Sequence, residues 1–229
     1  MHVACTEYLT LMYVGGRSSA DIDDGGVMAT FTGVLVRDGY AGYDHLPALH
    51  AWCGAHLLRD LRAISDADPS GQLWATARAD TLTGGHHAAA KARQAGQDRL
   101  DEATMATLMN HYLGALALGR TNNLGDHSEL ARSARTLIRR FHRYQDRILR
   151  FTTDLAIPRA NNQAERDLRP VKIQQRTSGG TWRTLTGVTE FATVHSYLST
   201  ATKWGKNKLD ALTELFATGP WLPPALTPS

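Results

Sequence analysis

The chain has 229 residues, 42% of them hydrophobic and 21% charged, with a net charge of +3. That balance belongs to an ordinary globular protein of one large or two small domains. It excludes a membrane-spanning chain, because no apolar run approaches the ~20 residues that a span needs. Two cysteines, Cys5 and Cys53, exclude a disulfide framework, and with no basic-then-apolar leader at the N-terminus the expected compartment is a reducing cytoplasm.

The charge is unevenly spread. Residues 1–60 hold three basic residues against seven acids, whereas 131–183 hold thirteen, twelve of them arginine, against four. The guanidinium fork suits phosphate oxygens, so a basic half of this density fits a polyanion, of which nucleic acid is the commonest. The plain alternative is a solvated helix face.

In chain order, HVACTEYLTLMYVGG predicts two short strands and a turn, with Val3, Cys5, Leu9, Leu11 and Tyr13 at alternating positions. RSSADIDDGGVMATF predicts a short helix or loop. Val34, Leu35 and Val36 form a continuous apolar run, which suits a strand buried on both faces and ended by Asp38-Gly39. From Asp44 to Ile64 the spacing is helical, with Asp44 as N-cap and Pro47 in the first turn. Residues 67–150 are rich in Ala, Leu and Arg and predict an all-helical insertion, broken at Pro69–Gly71, Gly84-Gly85 and Thr121–Gly125. Two more helices follow, from Asn162 to about Arg176 and from Gly187 to Trp204. The second carries Val188, Phe191, Val194, Leu198 and Ala201 on one stripe. The fold class is therefore a helix-rich α/β protein, divided as 1–66, 67–150 and 151–229.

Four segments carry candidate chemistry. Asp38 ends a strand, where a carboxylate is well placed for a hard divalent cation, although Asp-Gly also makes a simple turn. Cys53 and His56 form C-x-x-H on one helix face; two ligands do not make a zinc site, so they are read as accessory residues that seat the helix, and zinc is not expected. In NNQAERDLRP, Asn161 and Asn162 open a helix, and with Asn162 as N-cap Glu165 falls at the capping-box position. Arg169, Lys172 and Arg176 follow Glu165 on its own face, so one acid heads a basic stripe. That arrangement equally fits a metal ligand beside a nucleic-acid track. In TSGGTWRT, Trp182 either packs under the turn or stacks on a base, with Arg183 beside it.

Taken together, HVACTEYLTL, FTGVLVRDGYAGYDHL, CGAHLLRDL, NNQAERDLRPVKIQQRTSGGTWRTLTG and SYLSTATKWG resemble, in order, the insertion-sequence-66 family of DDE transposases. The resemblance runs from about His2 to Phe216, and the C-x-x-H also resembles a feature of Mutator-like transposases. It implies an RNase H-like core with a helical insertion before the final Glu. It also implies DNA transposition by cleavage and strand transfer at phosphodiester bonds. Asp38 and Glu165 would be the second and third catalytic acids, holding Mg²⁺ or Mn²⁺. Arg166, Arg169, Lys172, Arg176 and Arg183 would contact DNA at element ends and target. A homo-oligomer or an intact transposase is the expected protein partner. Among family members the first Asp precedes the segment matching HVACT, and these residues begin at Met1 within the second strand. The expectation is therefore a core lacking its first strand, with little strand transfer by the 229 residues alone, or a non-catalytic DNA-binding remnant that modulates an intact transposase.

Overall fold

The computed structural model describes residues 1–177, 182 and 184–224. In chain order the elements are β1 (His2–Cys5), β2 (Thr10–Tyr13), α1 (Ser19–Asp23), β3 (Val34–Arg37), β4 (Leu49–Trp52), α2 (Gly54–Ala67), α3 (Leu73–Gln94), α4 (Glu102–Asn122), α5 (Glu129–Arg143), α6 (Gln145–Ile148), α7 (Asn162–Thr177), α8 (Leu185–Lys203) and α9 (Lys208–Thr218). They fall into two compact units. One is Met1–Phe31, Ala41–Pro47 and Asn162–Ser229; the other is Thr32–Tyr40 and Ala48–Asn161. Among the described residues no helix is long and apolar enough to cross a membrane.

In the first unit β1 and β2 pair antiparallel, His2 opposite Tyr13 and Cys5 opposite Thr10. The outer edge of β2 would leave amides without acceptors, and α8 supplies them from side chains. Met12 N donates to Ser196 Oγ at 2.8 Å and Thr10 N to Thr200 Oγ1 at 3.1 Å. This corrects the apolar stripe read for that helix. Ala192 and Ala201 are buried, but Val194 is 45% exposed, and hydroxyl residues turn to the strand instead. Satisfying the strand-edge donors outweighs burying one more valine.

In the second unit β3 and β4 pair parallel, from Val34 opposite Leu49 to Arg37 opposite Trp52. Two expectations fail here. Val34, Leu35 and Val36 are only half-buried. The helix read from Asp44 is a strand over Leu49–Trp52, and α2 starts at Gly54. Leu46, Leu49 and Cys53 fit a helical period by spacing alone, and over so short a stretch pairing with β3 decides the conformation. Beyond Gly54 the helical pattern is right, with Leu57, Leu61 and Ile64 buried.

The helical part of this unit packs α3 against α4, and α5 against α4 and α2. Trp74, Tyr112 and Phe141 are each 0% exposed at its centre. Gly84-Gly85, expected to break a helix, lie inside the unbroken α3. A Cβ on Gly85 would meet Leu108 at 3.0 Å, so this glycine lets two helices approach closely. The turn falls instead at Ala95 and Gly96, where Gly96 has a φ of +78°. Arg78 is also fully buried here. Its Nη1 donates to Tyr112 O at 2.7 Å, its guanidinium lies 4.7 Å from the Phe141 ring centre, and burial pushes it down to about 8.

Candidate functional site

Parallel pairing of β3 with β4 sets the ends of the two strands side by side. Cys53 N donates to Arg37 O at 2.8 Å, which brings Asp38 beside Cys53. Arg37, only 5% exposed, fixes the bend that follows: Nη1 donates to Asp38 O at 3.0 Å and to Tyr40 O at 2.7 Å, and Nε to His50 Nδ1 at 2.9 Å. Asp38 Oδ1 accepts from Tyr40 N at 3.0 Å, so the Asp-Gly turn is real. The same carboxylate also lines a cavity of about 190 Å³, together with Trp52, Cys53, His56, Asp60 and Arg140.

Cys53 flanks the first turn of α2 and is 1% exposed. His56 follows one turn later, and the thiol and imidazole offer ligand atoms within 4.8 Å of each other. Gly54 keeps that turn tight: its N donates to Arg159 O at 2.9 Å, and a Cβ there would meet the same oxygen at 3.0 Å and His86 Nε2 at 2.8 Å. Across the cavity Asp60 forms an ion pair with Arg140 of α5. The wall therefore offers one carboxylate without an ion pair among the described residues, one imidazole and one thiol. A hard divalent cation matches the carboxylate, and the Cys-His pair adds softer donors. Asp60 and Arg140 carried no signal in the sequence. Leu49–Trp52 carried one, a short run between Pro47 and Gly54 ending in Trp.

The second candidate acid, Glu165, lies on α7 in the first unit. The helix begins at Asn162, so Asn161 precedes it and Glu165 is its fourth residue, one position beyond the capping box. Glu165 is half-buried, and Arg166, Arg169, Lys172 and Arg176 are exposed. Arg183 lies outside the described residues. Trp182 packs on Phe191, with ring centres 4.4 Å apart.

What sets the rotation of α7 is Asp167, which sequence reasoning missed. Two positions on from Glu165 is about 200° around a helix, so the two acids point to opposite sides. Asp167 Oδ1 accepts from Ser199 Oγ at 2.9 Å and Gln163 Nε2 at 3.2 Å, and Oδ2 from Thr10 Oγ1 at 3.2 Å. Lys203 Nζ sits 3.8 Å away, and both side chains are at least nine-tenths buried. The lysine also donates to Thr6 O and Leu9 O, each at 2.8 Å, closing the β1–β2 turn. Burial raises the Cys5 thiol beside this network, against the pull of Lys203. One buried carboxylate thus ties α7 to β2 and α8 and sets the faces of the helix on which Glu165 and the exposed basic residues lie.

No curated protein and no solved structure matches the chain. A family model described as Transposase IS66 family matches residues 1–190. The strand-end Asp38, the C-x-x-H and the NNQAERDLRP helix all lie within that span, and the chain belongs to the IS66 transposase family.

Proposed function

We propose that the chain serves DNA transposition by metal-dependent cleavage and transfer of phosphodiester bonds, with Asp38 and Glu165 as carboxylate ligands. The observation that carries this reading is the family match over residues 1–190, which spans both acids. Mg²⁺ or Mn²⁺ held by such carboxylates would lower the pKa of an attacking hydroxyl and stabilise the leaving oxygen. The chain's own part is orientation. Arg37 holds the Asp38 turn, and Asp167 fixes the face that α7 presents. Arg166, Arg169, Lys172, Arg176 and Arg183 contact the DNA backbone and set its register without reading sequence.

The exposed basic face of α7 supports that DNA-binding role independently of any metal. The test is to incubate purified 1–229 with labelled element-end duplex and Mg²⁺. Binding is expected, with any Mg²⁺-dependent cleavage lost in Asp38→Asn and Glu165→Gln, and cleavage that survives both substitutions overturns their assignment as ligands. Loss of binding on Glu165→Gln would show that Glu165 serves the DNA-binding fold itself.

A further inference from the structure

We infer that α5, in the helical insertion, carries a second surface for the DNA phosphate backbone, independent of α7. The surface is the row Arg132, Arg139 and Arg143. This rests on the reading that the chain binds DNA, and it adds a site on the other compact unit.

The orientation of α5 is not adjustable. Ala131, Ala134 and Phe141 are 0% exposed and Ile138 is 2%, so one face is locked into the core. Two arginines at the borders of that face serve the fold. Arg135 Nη1 donates to Asn123 O at 2.7 Å, and Arg140 pairs with Asp60. The remaining three project from the opposite side and are exposed. At 100° per residue, Arg132, Arg139 and Arg143 fall within about 40° of one another, a single row. None of them pairs with a carboxylate among the described residues. Arg139 donates to Thr136 Oγ1 at 3.2 Å, and Arg143 lies 5.4 Å from the Tyr144 ring centre. The nearest acid of the row is Glu129, one turn before Arg132 and in the helix's first turn.

Arg139 and Arg143 stand four apart, a like-charge spacing that costs an isolated helix stability, and no acid of the row offsets it. Phosphates would. With a rise of ~1.5 Å per residue, the three arginines span about 16 Å, enough to meet two or three phosphates of one DNA strand. The fork of each guanidinium can grip two oxygens of one phosphate. A lipid surface fits less well, because the row carries no flanking apolar residues to insert.

The test measures the affinity of residues 1–229 for a mixed-sequence duplex by fluorescence anisotropy across a salt series. Three proteins are compared: wild type, R132A/R139A/R143A and R166A/R169A. Circular dichroism melts confirm folding, which these exposed substitutions should preserve. Each lost phosphate contact lowers the slope of log K against log salt by about 0.9. The α5 triple variant is expected to lower it by about 2 to 3, and the α7 variant by about 2 separately. An unchanged slope in the triple variant, with wild type binding and the α7 variant weakened, overturns this inference and leaves the DNA reading intact. No wild-type binding at all overturns both. If the triple variant loses binding to anionic vesicles but keeps its DNA slope, the surface is a lipid contact and the inference is wrong.

Discussion

The two units are held together by different physics. The second is built on a largely apolar core in which Trp74, Tyr112, Phe141, Leu61 and Leu82 are at most 1% exposed, with Arg78 buried among them. The first buries fewer large apolar side chains, Met12, Ile22, Met28, Leu46 and Val171, and its strand-to-helix contacts run through Thr10, Ser196, Ser199 and Thr200 around a buried Asp167–Lys203 pair. Apolar burial is non-directional and tolerates small shifts; a hydrogen-bonded network fixes one geometry and is costly when half-made. The unit of long packed helices relies mainly on the first device, and the unit that carries Glu165 on α7 relies on the second.

That contrast can be broken at its strongest point. Trp74→Ala should destabilise the helical unit by roughly 3–5 kcal/mol, the cost of an aromatic-sized cavity in a packed core. Hydrogen exchange should then show α3, α4 and α5 losing protection, and a change confined to α7 and α8 would contradict the division. In the polar unit Asp167→Ala should cost about 3 kcal/mol, because it leaves Lys203 buried without its partner. Asp167→Ala/Lys203→Met should recover part of the loss, as read by thermal melts. If the double variant melts below the single one, the pair is not what sets the cost.

Acid should act on the helical unit through His86. Burial, with Arg159 and His87 adding to it, pushes this imidazole down to about 4, and it stacks 3.8 Å from the Phe151 ring centre. The unfolded side chain takes a proton as pH falls through about 6.5, while the folded one stays neutral until about 4. Between those values the unfolded state binds more protons, so stability falls with pH, by at most about 3 kcal/mol. His86→Gln should flatten that slope in melts between pH 7 and 4; an unchanged slope would place the acid sensitivity elsewhere. The smallest effect belongs to Ser196→Ala. It removes one acceptor from the β2 edge, at about 1 kcal/mol, and should speed exchange of the Met12 amide; an unaltered Met12 rate would mean the bond contributes nothing.

Much of the candidate site was legible as sequence because its motifs are local. Asp38-Gly39, C-x-x-H and NNQAERDLRP each lie within one element or turn, and α7 begins where the asparagines placed it, to within one residue. What could not be read was pairing. Nothing in Leu49–Trp52 announces that it lies beside Val34–Arg37, yet that register is what brings Asp38 to Cys53 and His56. Asp167 was hidden for a related reason. In an arginine-rich helix an acid reads as charge balance, and only the fold shows Thr10 and Ser199 converging on it from distant elements. Gly84-Gly85 misled because a glycine pair is a breaker signal in isolation and a close-packing device against Leu108.

The most direct test of the central claim is Mn²⁺ titration of residues 1–229, followed by electron paramagnetic resonance, for wild type, Asp38→Asn and Glu165→Gln. Weak wild-type binding that drops about tenfold or more in each variant, with melting temperatures nearly unchanged, is the expected result for two carboxylate ligands. Mn²⁺ binding that neither substitution alters would contradict it.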